Sequence, residues 1–272
     1  MDFSFSEDQV AIRELAYQIF TDRSTDAFQL EFSRTDQAYD DSLWTTLAEQ
    51  GLLGIGIPEH CGGAGLGLIE TCLVREEQGR RVAPVPLFSS LVLGAMPIIE
   101  FGTEAQQQQY LSPLAAGELK LTAAISEIAM PAAVQQSVSA TKSDNGWTLT
   151  GSLDCVQDGA VANFILVPAT DASGNSSIFI IDSQAPGVSV QAQEISLLGP
   201  WSAALSLSDV TVNADALLGA EGQAPAIIHW LEQYANVGQC AMQTGICEEA
   251  MRRTATYTSE REQFGVPIGS FQ

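Results

Sequence analysis

The hydrophobic periodicity of this chain changes twice, and the two changes divide it into three parts. Up to about residue 119, apolar residues such as Ile12, Leu15 and Ile19 recur at the helical spacing. From Lys120 to about Gly219 the pattern alternates with a period of two, in short segments separated by turn residues. After that the helical period returns without a break over about residues 224–259.

We therefore predict an α+β multidomain protein. It has an N-terminal helical domain over residues 1–119 and a central β-barrel or sandwich over 120–222. Residues 223–272 then hold the first helix of a C-terminal helical bundle, because a helix of this length needs neighbours to bury its apolar face. A continuous closed sheet in the middle part would offer a rigid wall for a planar ring.

Local signals place the elements within these parts. Ser6 to Gln9 and Thr103 to Gln106 both fit capping boxes, which mark helix starts. Further helices are predicted over about 42–50, 68–80 and 87–101, with a glycine-rich loop over 52–67. Gly238 and Gly245 in the last helix indicate that another backbone approaches it closely. The predicted strands are Leu121–Ile125, Ser137–Thr141, Trp147–Gly151, Phe164–Pro168, Ser177–Asp182, Val188–Gln191 and Leu205–Val212.

The charge of the chain excludes several partners. It carries 11 Lys and Arg against 33 Asp and Glu, a net charge of −22, so it repels nucleic acid and anionic membranes. No metal site is predicted, because His60 and Cys61 have no second pair of ligands. An odd number of cysteines without a C-x-x-C pair indicates reduced thiols. With neither a signal peptide nor a membrane-spanning apolar run in view, we expect a cytoplasmic protein.

The last twelve residues concentrate unusual residue types in one turn. Arg261 is a fixed cation whose planar fork suits phosphate, although it also fits a helix C-terminus that favours positive charge. Gly265 and Pro267 are expected to end the long helix. The whole string, REQFGVPIGSFQ, resembles the R-x-Q-F-G-x-P-I-x-x-F-Q segment of the acyl-CoA dehydrogenase family. GLLGIGIPEHCGGAGLG (51–67) and GTEAQQQQYLSPLAAGE (102–118) resemble two further segments of that family.

This resemblance covers essentially the whole chain and implies a function. It implies an FAD-dependent enzyme that dehydrogenates acyl-CoA thioesters, with electron-transfer flavoprotein as electron acceptor and a homo- or hetero-oligomeric dimer of dimers. In the family the arginine reaches the FAD pyrophosphate of the neighbouring subunit, which implies cofactor contacts for Arg261, Gln263 and Phe264. It also implies that only the first helix of the family's C-terminal bundle is present.

Two segments in the β part stand where the family has flavin-binding motifs. They imply cofactor contacts for Ile125, Ser126 and Gln157, although Ser126 and Gln157 also fit ordinary strand residues facing water. Both segments depart from the family, since Cys155 replaces the aromatic residue beside the flavin and a Gly-Ser-Asp triplet is absent. These variants, and the segment over residues 78–86, resemble members from bacterial steroid degradation, many of which are hetero-oligomers of two unlike subunits.

The general base is the remaining question. The reaction removes an α-proton with a carboxylate while hydride passes from the β-carbon to flavin N5. Ala235 holds the position where some members carry that base, and Glu232 lies almost one turn earlier. Other members carry it in a later helix. Three hypotheses follow: an acyl-CoA dehydrogenase, a non-catalytic partner subunit that contributes Arg261 and Phe264 to a shared FAD site, or a flavin protein of this fold with other oxidation chemistry.

Overall fold

The computed structural model describes residues 4–125, 138–193 and 202–271. The helices are α1 (Glu7–Arg23), α2 (Asp26–Phe32), α3 (Asp41–Glu49), α4 (Leu68–Arg81), α5 (Met96–Phe101), α6 (Glu104–Ala115) and α7 (Ala224–Glu260). The strands are β1 (Leu121–Ala123), β2 (Val138–Ser143), β3 (Gly146–Gln157), β4 (Phe164–Thr170), β5 (Ser176–Asp182), β6 (Val188–Gln193), β7 (Ser202–Asn213), β8 (Leu217–Leu218), β9 (Glu262–Gln263) and β10 (Val266–Pro267). No helix within these ranges is both long and apolar enough to cross a bilayer.

Both predicted capping boxes are confirmed. Before α1, Gln9 N donates to Ser6 Oγ at 3.2 Å and Ser6 N donates to Gln9 Oε1 at 3.0 Å. The same reciprocal pair joins Thr103 and Gln106 before α6. Each box satisfies two backbone N–H groups that a helix start otherwise leaves without partners, which is why these helices begin where the sequence predicted.

The helix predicted over residues 87–101 is buried as expected but is not one regular helix. Phe88–Ala95 is π-helical, and α5 continues from it. The wider turns bury all eight residues of the π-helical segment, including two serines. Of these, Ser90 accepts a hydrogen bond from Leu121 N at the start of the β domain. A π-helical segment of this kind is frequent at functional sites.

All seven predicted strands are present, although Ser137 lies outside the described residues and several ends differ. The sheet order is β6-β7-β3-β2-β4-β5-β8, with β1 parallel to β4. Strands β3 and β7 are longer than predicted because bulges after Leu149 and Leu153 let the β3–β7 ladder continue past Gly151. Among the described strands the path is open, with β6 and β8 at its ends, and is not the continuous closed wall that was expected. The short β8, which pairs only with β5 in these ranges, was not predicted.

Alternating residues of β4 and β5 serve two hydrophobic cores. Leu166 and Ile180 join the core shared with the helical layer, and Val167 and Phe179 join a second core inside the β domain. Buried residues from α7 also belong to the first core. Because that core joins all three parts of the chain, the domain boundaries after residues 119 and 222 stay predictions.

Helix α7 is 37 residues long and crosses α4 at very short range. A Cβ atom on Gly245 would lie 1.9 Å from Glu76 O, and one on Gly79 would lie 2.1 Å from Met242 O. Only glycine fits at these two positions, so the predicted close backbone approach at Gly245 is confirmed. At Gly238 the nearest atom, at 3.3 Å, belongs to the Val92 side chain.

The end of α7 corrects one prediction. The helix stops at Glu260, and neither Gly265 nor Pro267 terminates it. Arg261 is extended (φ −75°, ψ 115°), and β9 pairs with β10 in an antiparallel hairpin. Phe264 (φ 55°) and Gly265 (φ 80°) form its two-residue turn, whose consecutive positive φ angles are those of a type I′ turn. Gly265 therefore provides a positive φ angle for the hairpin turn and does not end the helix.

Candidate functional site

The predicted residues of the β domain lie where β1, β3 and β7 meet. Thr122 Oγ1 of β1 donates to Gln157 O at 2.7 Å, and Gln157 pairs with Ser202 of β7. Ile125, which follows β1, is buried, and Gln157 is half-buried. Ser126 lies outside the described residues, as does the whole segment where the family's Gly-Ser-Asp would stand.

The backbone is unusual at this point. Cys155 (φ 57°) and Asp158 (φ 52°) both adopt the left-handed region that non-glycine residues rarely enter. Cys155 stands in the β3–β7 bulge and is exposed, and its N–H donates to Gln193 Oε1. Left-handed residues persist only where their surroundings hold them, and they cluster at functional sites.

A cavity of about 70 Å³ lies between α4, the π-helical segment, the end of β3 and α7. Side chains of three different chemistries converge on it: charged, amide and apolar. They include Arg75, Gln78, Phe88, Gln157, Asp158 and Met242. Gln157, one of the predicted cofactor residues, therefore lines a pocket that also contains a cation and a carboxylate.

Arg75 is the cation of this cavity and is 1% exposed. Its Nε donates to Gly238 O at 3.1 Å and its Nη1 to Gln78 Oε1 at 3.0 Å, while Nη2 contacts Met242 Sδ at 3.3 Å. Burial lowers the pKa of Arg75 to about 10, and the nearby Cys72 and Asp158 oppose that shift. The guanidinium also lies 4.8 Å from the centre of the Phe88 ring.

Asp158 is the carboxylate of the cavity. Its Oδ2 lies 2.6 Å from the Oγ atom of the buried Ser89 in the π-helical segment. Burial raises the pKa of Asp158 to about 6, against the Ser89 hydrogen bond and the charge of Arg75, which both lower it. The sequence analysis missed Arg75, Ser89 and Asp158. The available signals were that Arg75 is a rare cation in an acidic chain and that Asp158 directly follows Gln157.

The hairpin after α7 carries the other predicted residues. Arg261 is exposed, and in the described ranges its guanidinium has no hydrogen-bond or ion-pair partner. Phe264 is 95% exposed at the turn. The side-chain amide of Gln263 donates to Glu262 O at 2.8 Å. The ring of Phe264 and the guanidinium of Arg261 are thus exposed on the surface, where another molecule can contact them.

The structure brings these predicted residues together in two separate groups. Met242 lines the cavity with Gln157, and Arg261 follows Met242 by 19 residues at the end of the same helix. At 1.5 Å per residue the two positions are about 28 Å apart along α7. Within one chain the hairpin is therefore remote from the cavity.

The position on α7 where some family members carry the base contains no carboxylate. Ala235 is 5% exposed and belongs to the apolar stripe of the helix. Glu232, one turn earlier, lies 3.6 Å from His229 Nδ1. Residue 235 therefore packs in the core and provides no group that can take a proton.

Fold and sequence comparisons identify the class of protein, an α+β flavoprotein oxidoreductase. Residues 6–118 match the N-terminal domain of acyl-CoA dehydrogenases. FadE27 of Mycobacterium tuberculosis, named an acyl-CoA dehydrogenase, is 33% identical over 272 residues, which is 100% of this chain and 70% of FadE27. The chain belongs to the acyl-CoA dehydrogenase family, oxidoreductases that act on CH–CH bonds.

Solved structures agree with this assignment. A chain of the ChsE4–ChsE5 complex from Mycobacterium tuberculosis is 32% identical with a TM-score of 0.90, covering 100% of this chain and 72% of that one. The Tcur3481–Tcur3483 steroid ACAD variant is 37% identical with a TM-score of 0.86, covering 98% and 70%. PigA with FAD and proline is 25% identical with a TM-score of 0.89, covering 100% and 73%.

Proposed function

We propose that this chain is a subunit of an FAD-dependent acyl-CoA dehydrogenase whose flavin sites are each completed by two chains. The separation of the two groups of predicted residues carries this proposal. A flavin ring and its pyrophosphate are joined by a five-carbon ribityl chain, which at about 1.5 Å per bond reaches less than about 10 Å. Met242, which lines the cavity with Gln157, and Arg261 are about 28 Å apart along α7, so Gln157 and Arg261 of one chain are too distant to hold the ring and pyrophosphate of one FAD.

The side chains present fit this cofactor. Ser202 Oγ is buried beside Gln157 and has no hydrogen-bond partner in the described part of the chain, so a ring heteroatom would satisfy it. Arg261 offers a bidentate fork to a pyrophosphate, and Phe264 offers an apolar face to the nucleotide. When bound, FAD supplies the acceptor for the hydride. With FAD bound, Gln157 would orient the ring and Arg261 would neutralise the phosphates.

The proposed substrate is a bulky acyl-CoA thioester, such as a steroid side-chain CoA ester. The similarity to the steroid ACAD variant at 37% identity supports this choice. In keeping with the family resemblance, the proposal includes electron-transfer flavoprotein as the electron acceptor, a dimer of dimers as the assembly and the cytoplasm as the location.

Substitution of Arg261 tests the shared site. We expect Arg261→Ala to reduce bound flavin by at least about tenfold, because a charge-assisted contact to phosphate is lost. Arg34→Ala is the matched control, since Arg34 is also exposed and its side chain has no hydrogen-bond or ion-pair partner in the described ranges. Flavin absorbance per chain after purification measures both variants. Equal flavin content in the two would remove Arg261 from the site.

The alanine at position 235 favours a second candidate function, that of a non-catalytic partner subunit. A buried alanine stands at the position where some family members carry the base, and the ChsE4–ChsE5 structure is a complex of two different proteins. Such a subunit would bind flavin only together with a second dehydrogenase-like chain. The visible spectrum of the chain purified alone separates the two candidates. One flavin per chain, bleached by an acyl-CoA, supports the dehydrogenase, whereas a colourless chain that gains flavin on co-purification supports the partner subunit.

A further inference from the structure

Three residues beside Gln157 form a buried network: Arg75, Ser89 and Asp158. The proposed flavin contacts give this network no task. Gln157 is the last residue of β3, and its carbonyl is fixed by Thr122 of β1. The next residue, Asp158, turns the chain away from the strand with φ 52°, and its carbonyl accepts from Val161 N and Ala162 N. The backbone on both sides of the Gln157–Asp158 peptide is therefore held, so a displacement of Asp158 would be transmitted through this peptide to Gln157.

The conformation of Asp158 is secured by the π-helical segment. Ser89 Oγ lies 2.6 Å from Asp158 Oδ2 and 3.1 Å from Pro86 O. A hydroxyl has one proton, so with ionised Asp158 it donates to the carboxylate, and with protonated Asp158 it accepts from the acid and donates to Pro86 O. The Ser89–Asp158 contact survives in either protonation state. It joins the π-helical segment to the end of β3.

The positive charge of Arg75 also attracts the Asp158 carboxylate. Three of its five N–H groups have partners in the described ranges, namely Gly238 O, Gln78 Oε1 and Met242 Sδ. Arg75 and Asp158 line one cavity and attract each other across it. The remaining two N–H groups leave room for ordered water between them, since a cavity of about 70 Å³ exceeds the space one water requires.

We propose that Asp158, held by Ser89 and facing Arg75, is the positioning residue that fixes Gln157 at the edge of the flavin. This inference rests on the proposed function, because it assigns a task to residues behind the proposed flavin contact. Asp158 acts through Gln157 and touches no reacting atom. The network links α4, the π-helical segment and α7 to the end of β3. It therefore fixes the end of β3, which carries the proposed flavin contact, relative to the helical layer.

Two adjacent serines provide the test. Ser89 and Ser90 are both fully buried in the π-helical segment, but only Ser89 contacts Asp158, whereas Ser90 accepts from Leu121 N. We expect Ser89→Ala to weaken flavin binding by about tenfold, as loss of a hydrogen bond to a charged group predicts. Ser90→Ala should leave flavin affinity within about twofold of the unchanged chain, because a bond outside the network is lost. The flavin dissociation constant and the melting temperature are measured for the purified chains.

The outcomes separate this inference from the function on which it rests. Weaker flavin binding in Ser89→Ala, at a melting temperature equal to that of Ser90→Ala, supports positioning, because a merely structural serine would change both variants alike. Equal flavin affinity in the two variants overturns the positioning role and leaves the proposed function standing. If the unchanged chain binds no flavin, alone or co-purified with a second dehydrogenase-like chain, the proposed function fails and the positioning role fails with it.

Discussion

At the residue scale, Asp158 makes stability depend on pH in a defined direction. Its pKa is raised from 3.8 to about 6, so the folded protein holds this proton more tightly than the unfolded chain does. The stabilisation is complete below about pH 3.8 and is lost as the pH rises through 6. Above that value the ionised carboxylate lowers the free energy of unfolding, by about 1–2 kcal/mol once its partial exposure is taken into account.

Asp158→Asn removes this titration and keeps the shape of the side chain. We expect the variant to match the unchanged chain at pH 4 and to be more stable by about 1–2 kcal/mol at pH 8. Asp209→Asn is the control, because Asp209 is also left-handed (φ 51°) and bonded to a hydroxyl, that of Thr150, but is exposed. Urea unfolding at both pH values measures the difference. A stability gap that does not change with pH would contradict the assignment.

Single residues also mark the limit of sequence-based prediction at the site. Gln157 and Arg261 were found because each stands in a contiguous motif. The Ser89–Asp158 contact joins residues 69 positions apart, and the Arg75–Gly238 contact joins residues 163 positions apart. No local pattern encodes such pairs, because they depend on how three layers pack, and a buried arginine looks in sequence like any other helical cation.

At the element scale, the α4–α7 crossing depends on glycine. Gly245→Ala would place a Cβ atom 1.9 Å from Glu76 O and 2.8 Å from Arg80 N, both backbone atoms that cannot move aside alone. We expect a loss of about 2–4 kcal/mol in the free energy of unfolding. On the same helix, the three atoms nearest to a Cβ on Gly238 belong to the side chains of Val92 (3.3 Å) and Phe88 (3.6 Å), so Gly238→Ala, which gains helix propensity, should stay within about 1 kcal/mol. Similar denaturant midpoints for both variants would show that α4 and α7 can move apart at their crossing without loss of stability.

The elements that sequence predicted well are those with local causes. Helix starts were predicted from capping boxes that span four residues. Strands were predicted from the alternation of apolar and polar residues. The π-helical turns of Phe88–Ala95 and the hairpin at Phe264 and Gly265 were not anticipated. The first arises where eight consecutive residues are buried between layers. The second arises because β9–β10 pairing competes successfully with continuation of the helix, and the same Gly-x-Pro string is compatible with either outcome.

At the scale of the whole molecule, the two groups of flavin residues predict complementation between chains. Gln157→Ala and Arg261→Ala should each lose flavin when expressed alone. If every site takes Gln157 from one copy and Arg261 from another, random mixing of the two variants restores both residues in roughly a quarter of the sites. Flavin absorbance of the co-expressed, co-purified variants measures that fraction.

The size of the recovery then decides how the assembly is built. Recovery near a quarter of the unchanged flavin content means that copies of this chain complete one another, as a symmetric homo-oligomer requires. No recovery means that the residues act within one chain or that a different chain supplies one of them, and adding a second dehydrogenase-like chain distinguishes these cases. Recovery of one half would mean that the two variants pair preferentially, and recovery above one half would contradict a site that requires both residues, because half of the copies lack Gln157. Because Arg261 has no hydrogen-bond or ion-pair partner in the described ranges and Phe264 is 95% exposed, we expect recovery only where another chain contacts them.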